Sequence, residues 1–233
     1  MQKKLVNKKI ISLVVILFFI TLTIFCGIFI LGDRKYYFIS LLIIILSIIP
    51  FLMLFEKKRL QAREMVLIAV LVAIAVVGRM AFFMIPQFKP VMAIVIVAGV
   101  CFGREAGFLT GALSAFVSNF FFGQGPWTPW QMFAFGLVGF LAGLIFSESK
   151  LKEKRWLLCL FGGVTTLIIY GGLINLSTLF ITMQKVTLEA VLAVYVSGFY
   201  FDLVHSASTV IFLALIYKPM LGKMERIKMK YGI

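Results

Sequence analysis

Three ionisable side chains fall inside stretches of this chain that are apolar enough to cross a bilayer: Arg79, Asp202 and His205. A charge at that depth is expensive and faces the inside of a helix bundle or a wet cavity, so each is a candidate for ligand or ion recognition. Asp202 and His205 are one helical turn apart, and Tyr195, Asp202, His205 and Thr209 share one arc of a helix. Such a stripe faces the bundle interior. Tyr195 reads as a cavity wall and His205 as an interhelical hydrogen-bonding group, while Asp202 stays open between the two roles. At 1.5 Å per residue, Arg79 lies about 21 Å from Met65 along one helix, close to the far boundary. It reads equally as a ligand contact or as an interface anchor. Its depth differs from that of Asp202 by roughly a turn or more, which argues against a pair between them.

A second constellation is the loop 120–132, Phe-Phe-Phe-Gly-Gln-Gly-Pro-Trp-Thr-Pro-Trp-Gln-Met. Trp127 and Trp130 are what an interfacial aromatic belt would place there. A belt does not need Pro126 and Pro129, which fix φ, or Gly123 and Gly125, which allow sharp turns. With Gln124, Gln131 and the nearby Asn119, the stretch describes a stiff aromatic cradle with a few placed polar groups, the usual make-up of a small-molecule site. Asn175, beside the pair Gly171-Gly172, adds a further polar group. The two glycines are expected to break their helix and free backbone groups, which a membrane protein tolerates only where they line a cavity. The expected substrate-binding set is therefore Arg79, Asn119, Gln124, Trp127, Trp130, Gln131, Asn175, Tyr195 and Asp202.

Catalytic equipment is absent from the sequence. It has no Gly-x-x-x-x-Gly-Lys-Ser/Thr for nucleotide phosphates, no His-Glu-x-x-His and no Gly-x-Ser-x-Gly elbow. It has one histidine, and its three cysteines (Cys26, Cys101, Cys159) form no Cys-x-x-Cys pair. No catalytic residue, metal site or cofactor is expected, and the protein does not read as an enzyme.

The elements that must position these groups are membrane helices. Of the 233 residues, 62% are hydrophobic, well above the roughly half that soluble domains use. Eight apolar segments are predicted, at 10–31, 36–55, 65–85, 90–102, 106–122, 130–146, 156–183 and 188–217. The fourth is too short to span alone, so it sits behind its neighbours or borrows from the loop 86–90. The first two segments lack polar groups and precede a charged linker at 56–64, which divides the chain into an N-terminal hairpin (1–60) and a six-helix core (61–233). The fold class is all-α, a polytopic helical bundle. Gly103, Gly107, Gly111 and Ala115 recur every fourth residue, and Gly136, Gly139 and Gly143 follow on the next segment, a pattern that brings helix backbones close in lipid. No internal repeat of the kind that frames many secondary carriers is visible.

The net charge of +14 orients the chain and does not mark a nucleic-acid binder. With both termini on the cytoplasmic side, eighteen Lys and Arg lie inside and four (Arg34, Lys35, Lys89, Lys185) outside, as the positive-inside rule requires. The basic side meets anionic lipid. The expected location is the cell membrane, multi-pass, with no nucleic acid partner. On segment three, Ala69 and Ala73 share one face in its inner half, as packing residues or as a docking surface for a partner helix.

Taken together, residues 61–233 resemble the substrate-binding (S) component of energy-coupling factor (ECF) vitamin transporters. The Ala-x-x-x-Ala of Ala69 and Ala73 is similar to the family's patch for its transmembrane coupling subunit. The stretch from Asn119 to Gly136 is most similar to the branch assigned to cobalamin and related corrinoids. The resemblance implies a six-helix protein that captures a vitamin outside, topples in the bilayer on the coupling subunit, and releases the vitamin inside as two separate ATPase subunits hydrolyse ATP. The hairpin at 10–55 is extra to that family's usual six helices. Other readings are an S component for riboflavin, a queuosine precursor or another vitamin; a proton-coupled secondary transporter working through Asp202 or His205; and, with little catalytic equipment behind it, a membrane enzyme acting on lipid.

Overall fold

The computed structural model describes residues 42, 62–183 and 185–232. Apart from residue 42, the expected N-terminal hairpin and most of the linker after it, with Arg34 and Lys35, lie outside the described residues. The core contains α1 (Ala62–Ala81), α2 (Val91–Phe102), α3 (Arg104–Phe122), α4 (Thr128–Phe146), α5 (Arg155–Thr182) and α6 (Leu188–Tyr231), with one 3-10 turn at Lys150–Glu153. Among the described residues no strand occurs. Successive helices run in alternating directions, so every second connection lies at the same end.

Four of the helices, α1, α4, α5 and α6, are long and apolar enough to cross a membrane. The other two depart from that pattern for separate reasons. α3 carries Arg104, Glu105, Thr110, Ser114, Ser118 and Asn119, which dilute its apolar run. α2 has only 12 residues, about 18 Å of rise, and every one of them is buried. It is the central helix, packed by α1, α3, α4 and α6. A uniformly apolar helix with no polar face is what the middle of a bundle requires.

The glycine pattern brings α3 and α4 into backbone contact. A Cβ on Gly107 would lie 2.2 Å from the Gly139 carbonyl oxygen, and one on Gly111 would lie 2.4 Å from that of Phe135. Gly143 approaches the backbone of Arg104 in the same way. Gly103 does a different job from the one its spacing indicated. With φ of 92° it makes the corner between α2 and α3, where its backbone meets Gly143.

Three boundaries differ from the sequence expectation. α1 ends at Ala81, and the ammonium of Lys89 gathers the freed carbonyls of Phe82 (2.9 Å) and Ile85 (3.3 Å). α6 runs on through Pro219 to Tyr231. Its basic extension is tied down by Tyr217, which donates to the Lys152 carbonyl (2.6 Å), and by Lys228, which donates to the Cys101 carbonyl (2.6 Å). Finally, Gly171-Gly172 does not break its helix. The irregularity is a single π turn at Thr166–Tyr170, after which α-helix resumes at Gly171.

Most of the described basic residues gather at one end of the bundle, where α1 begins, α2 meets α3 and α6 terminates. Arg63 donates to the Tyr231 carbonyl there, and Lys152 pairs with Glu225 at 3.4 Å. The opposite end carries the loops after α1, α3 and α5.

Candidate functional site

A cavity of about 330 Å³ opens at that opposite end. Its wall is assembled from all six helices, α2 contributing only Val91, and the loop after α1. α1 supplies Arg79, α3 supplies Asn119 and Phe122, α4 and its approach supply Trp127, Gln131 and Phe135, and Tyr170 and His205 come from α5 and α6. Phe83, Pro86, Gln87 and Lys89 close it from the loop. Gln87 has φ of 55°, a left-handed backbone uncommon for a side chain other than glycine, and it turns the loop over the opening.

A hydrogen-bond chain fixes the polar side of the cavity. Arg79 donates to Ser118 Oγ and to Asn119 Oδ1 (3.0 Å). The Asn119 amide donates to Gln131 Oε1 (2.8 Å) and Thr128 Oγ1 (3.1 Å). Thr128 donates to Gln124 Oε1 (2.9 Å), and the Gln124 amide reaches the Phe116 carbonyl (3.0 Å). Each member orients the next, so the guanidinium is held by a network and not by one contact. The Trp127 indole lies over Gly125, where a Cβ would sit 2.5 Å from the ring, so a larger residue there would have to displace the indole.

The floor is aromatic. Phe135 and Tyr170 stack with ring centres 4.9 Å apart, and the His205 ring meets Tyr170 edge-on at 4.6 Å. Tyr170 ends the π turn of α5, and a π turn moves a side chain out of the regular helical register. His205 is 2% exposed, and neither ring nitrogen has a partner among the described residues. A buried imidazole left that way costs free energy, which a ligand hydrogen bond would offset.

The structure sorts the sequence-predicted residues into two groups. Arg79, Asn119, Trp127 and Gln131 converge on the cavity. The other five lie elsewhere. Gln124 braces the loop through Thr128. Trp130 is buried against Phe180 at 6.2 Å between ring centres. Asn175 donates to Asp202 at 2.7 Å, forming a pair between α5 and α6. Gly171 and Gly198 make room for that pair, since a Cβ at either would press on the Asp202 or Asn175 side chain. Tyr195 donates to the Gly172 carbonyl (3.0 Å) and lines a separate apolar groove with Leu176, Phe180 and Val191. The expected roles of Tyr195 and His205 are thus exchanged. A stripe along α6 winds past two different neighbours, and only its His205 level faces the cavity.

Sequence reasoning missed Phe83, Gln87, Lys89, Phe122, Phe135, Tyr170 and His205 as wall residues. From the sequence, Lys89 reads only as a charge on the outer flank. The aromatic residues carry no signal of their own in a chain with 25 Phe and 7 Tyr.

Ala69 and Ala73 are exposed on one face of α1, amid exposed Val66, Val70, Ile74 and Val77. The opposite face of the helix, with Ile68, Leu71, Val72, Ala75 and Val76, is buried in the bundle.

Comparison with known proteins places these features in a family context. The model of a family described as ECF-type riboflavin transporter, S component, matches residues 59–222. A UPF0397 protein of Aliivibrio fischeri (strain MJ11) is 36% identical over 101 residues, covering 40% of this chain and 55% of the relative. One from Vibrio atlanticus is 32% identical over 100 residues (40% and 54%), and one from Photobacterium profundum is 33% identical over 123 residues (50% and 67%). The chain spans about half the length of most of the curated relatives it matches. No solved structure matches it.

Proposed function

Because this chain belongs to the ECF-type riboflavin transporter S component family, a family of integral membrane proteins, we propose that it is the substrate-capture subunit of an ECF-type importer. It takes a vitamin into the cavity between Arg79, Trp127 and His205 from outside the cell. It then delivers that vitamin inward with a transmembrane coupling subunit and two ATPase subunits. The observation that carries this reading is the cavity itself: one wall of fixed polar groups, one aromatic floor, and an opening at the end of the bundle opposite most of the described basic residues. The positive-inside rule puts the basic end in the cytoplasm and the cavity mouth outside.

The volume speaks to the substrate. About 330 Å³ is at the small end of ligand sites, roughly 300–1,000 Å³. It suits one fused-ring vitamin such as riboflavin, the substrate class in the family's description. The corrinoid expectation rests on the similarity of residues 119–136 alone. Neither the matched family nor the cavity volume supports a macrocycle several times larger.

The deciding experiment is gel filtration of the detergent-purified protein after incubation with riboflavin, cobalamin and other vitamins in turn, with absorbance read across the protein peak. Stoichiometric co-elution of one vitamin is the expected result. Failure of every vitamin to co-elute sinks the capture reading.

Two variants divide the aromatic loop by role. Trp127→Ala is expected to weaken vitamin binding by roughly 1.5–3 kcal/mol, the value of one large apolar contact, without changing the melting temperature. Trp130→Ala is expected to do the reverse, costing about 3 kcal/mol of stability through the hole left against Phe180. Calorimetric titration and thermal unfolding read the two effects separately, and equal behaviour of the two variants refutes the division.

Asp202 tests the proton-coupled alternative. It is bonded to Asn175 and does not line the cavity. In the complete importer, Asp202→Asn is expected to lower uptake no more than a few-fold, through about 1 kcal/mol of lost helix contact. Uptake that vanishes in this variant, and that collapses with the proton gradient in the unaltered protein, establishes the secondary-carrier reading instead.

A further inference from the structure

The cavity holds two fixed positive charges and no negative one. Arg79 and Lys89 both line it, and both lie against the Phe122 ring, with the guanidinium carbon 4.4 Å and the ammonium nitrogen 5.4 Å from its centre. No Asp or Glu is among the lining residues. The hydrogen bonds of Arg79 go to the neutral oxygens of Ser118 and Asn119, and those of Lys89 go to backbone carbonyls. These bonds satisfy protons and leave both charges in place. Among the described residues, the acidic groups toward this end of the bundle are used elsewhere: Asp202 accepts from Asn175, and Glu189 sits in the first turn of α6.

A part-buried guanidinium with a second cation close by and no carboxylate among the lining residues is a costly arrangement without a counter-ion. Ordinary packing gives no reason to keep it, since Ser118 and Asn119 would be equally well served by a neutral amide. An anion entering the cavity offsets both charges, and guanidinium is the side chain best shaped to grip a carboxylate or phosphate with two hydrogen bonds.

We infer that the captured substrate carries an anionic group, a carboxylate or a phosphate monoester, which Arg79 holds with Lys89 as the second charge, while its ring system lies on Trp127 and the Phe135–Tyr170 floor. This rests on the capture reading and narrows it. Neutral riboflavin would leave both cations unmatched, whereas an acidic vitamin or a phosphorylated one would not.

The test is calorimetric titration of the full-length purified protein with matched neutral and anionic pairs: riboflavin and riboflavin 5′-phosphate, nicotinamide and nicotinate, panthenol and pantothenate. The first pair reports on phosphate and the others on carboxylate. In a pair that binds, the anionic member is expected to bind roughly ten- to hundredfold more tightly, the worth of one charged hydrogen-bond pair. That preference should shrink as salt is raised. It should disappear in Arg79→Gln and persist in part in Arg79→Lys, which keeps the charge should the first variant fold poorly. Equal or tighter binding of the neutral member overturns the inference, as does a preference that survives Arg79→Gln. Binding of cobalamin alone also overturns it and leaves capture standing. If nothing binds, cobalamin included, the capture reading falls and takes this inference with it.

Discussion

Ala73→Trp is expected to abolish vitamin uptake while leaving vitamin affinity unchanged. Ala73 is exposed on α1, in line with Ala69, so an indole there points away from the described bundle. The cavity begins at Arg79, about 9 Å further along the helix axis, and on the face that turns into the bundle. Fold and ligand site should therefore be indifferent to the substitution. A partner helix would not be, because small residues matter where two backbones approach in lipid. Overpacking such a contact costs roughly 1–3 kcal/mol, enough to lower coupling about ten- to hundredfold. Uptake by cells carrying the whole importer, compared with titration of the purified subunit, separates the two functions. Loss of affinity in the purified variant would show that this face of α1 belongs to the ligand site, and unimpaired uptake would remove it from the coupling interface.

Gly139→Val and Gly107→Val are each expected to cost about 3 kcal/mol or more and to leave little monodisperse protein. A Cβ on Gly139 would lie 2.3 Å from the Gly107 carbonyl oxygen, and one on Gly107 would lie 2.2 Å from that of Gly139. The obstacle in both cases is backbone, which cannot rotate aside as a side chain can. Separating α3 from α4 would also disperse the cavity, because Asn119 and Gln131 hydrogen-bond across that seam. Gly172→Ala is the internal control. No atom outside its own turn lies within 4 Å, and the helix continues through it, so alanine there should gain about 0.5–1 kcal/mol. Thermal unfolding in detergent reads all three. Wild-type melting of Gly139→Val would mean that α3 and α4 do not cross backbone to backbone.

The pattern of what was legible follows from how each property is encoded. Membrane residence follows from composition, because the burial of so many Ile, Leu, Val and Phe side chains needs no partner to be specified. Helix identity and approximate ends follow from run length and from Gly and Pro between runs. The α3–α4 seam was visible because Gly107, Gly111 and Gly139 repeat at helical spacing. The central place of α2 was half visible, since twelve apolar residues cannot cross a bilayer alone but do not say what surrounds them. The resemblance that pointed to the family rested on Ala69, Ala73 and the Asn119–Gly136 stretch, whereas the corrinoid assignment read from that same stretch gained no support.

Sequence alone determined which residues share a face on one helix, and the tertiary structure decided which faces meet. Tyr195, Asp202 and His205 are on one stripe by spacing, yet Tyr195 meets α5 at Gly172, Asp202 meets Asn175, and only His205 reaches the cavity. Arg79 could not be matched to Asn119, Tyr170 or Lys89 from spacing, because they lie on separate elements whose relative rotation is set by packing, here by the glycine seam and the π turn before Gly171. Periodicity is a property of one segment and is written along it. A cavity is a property of several segments at once, and its charge emerges only when their faces are brought together.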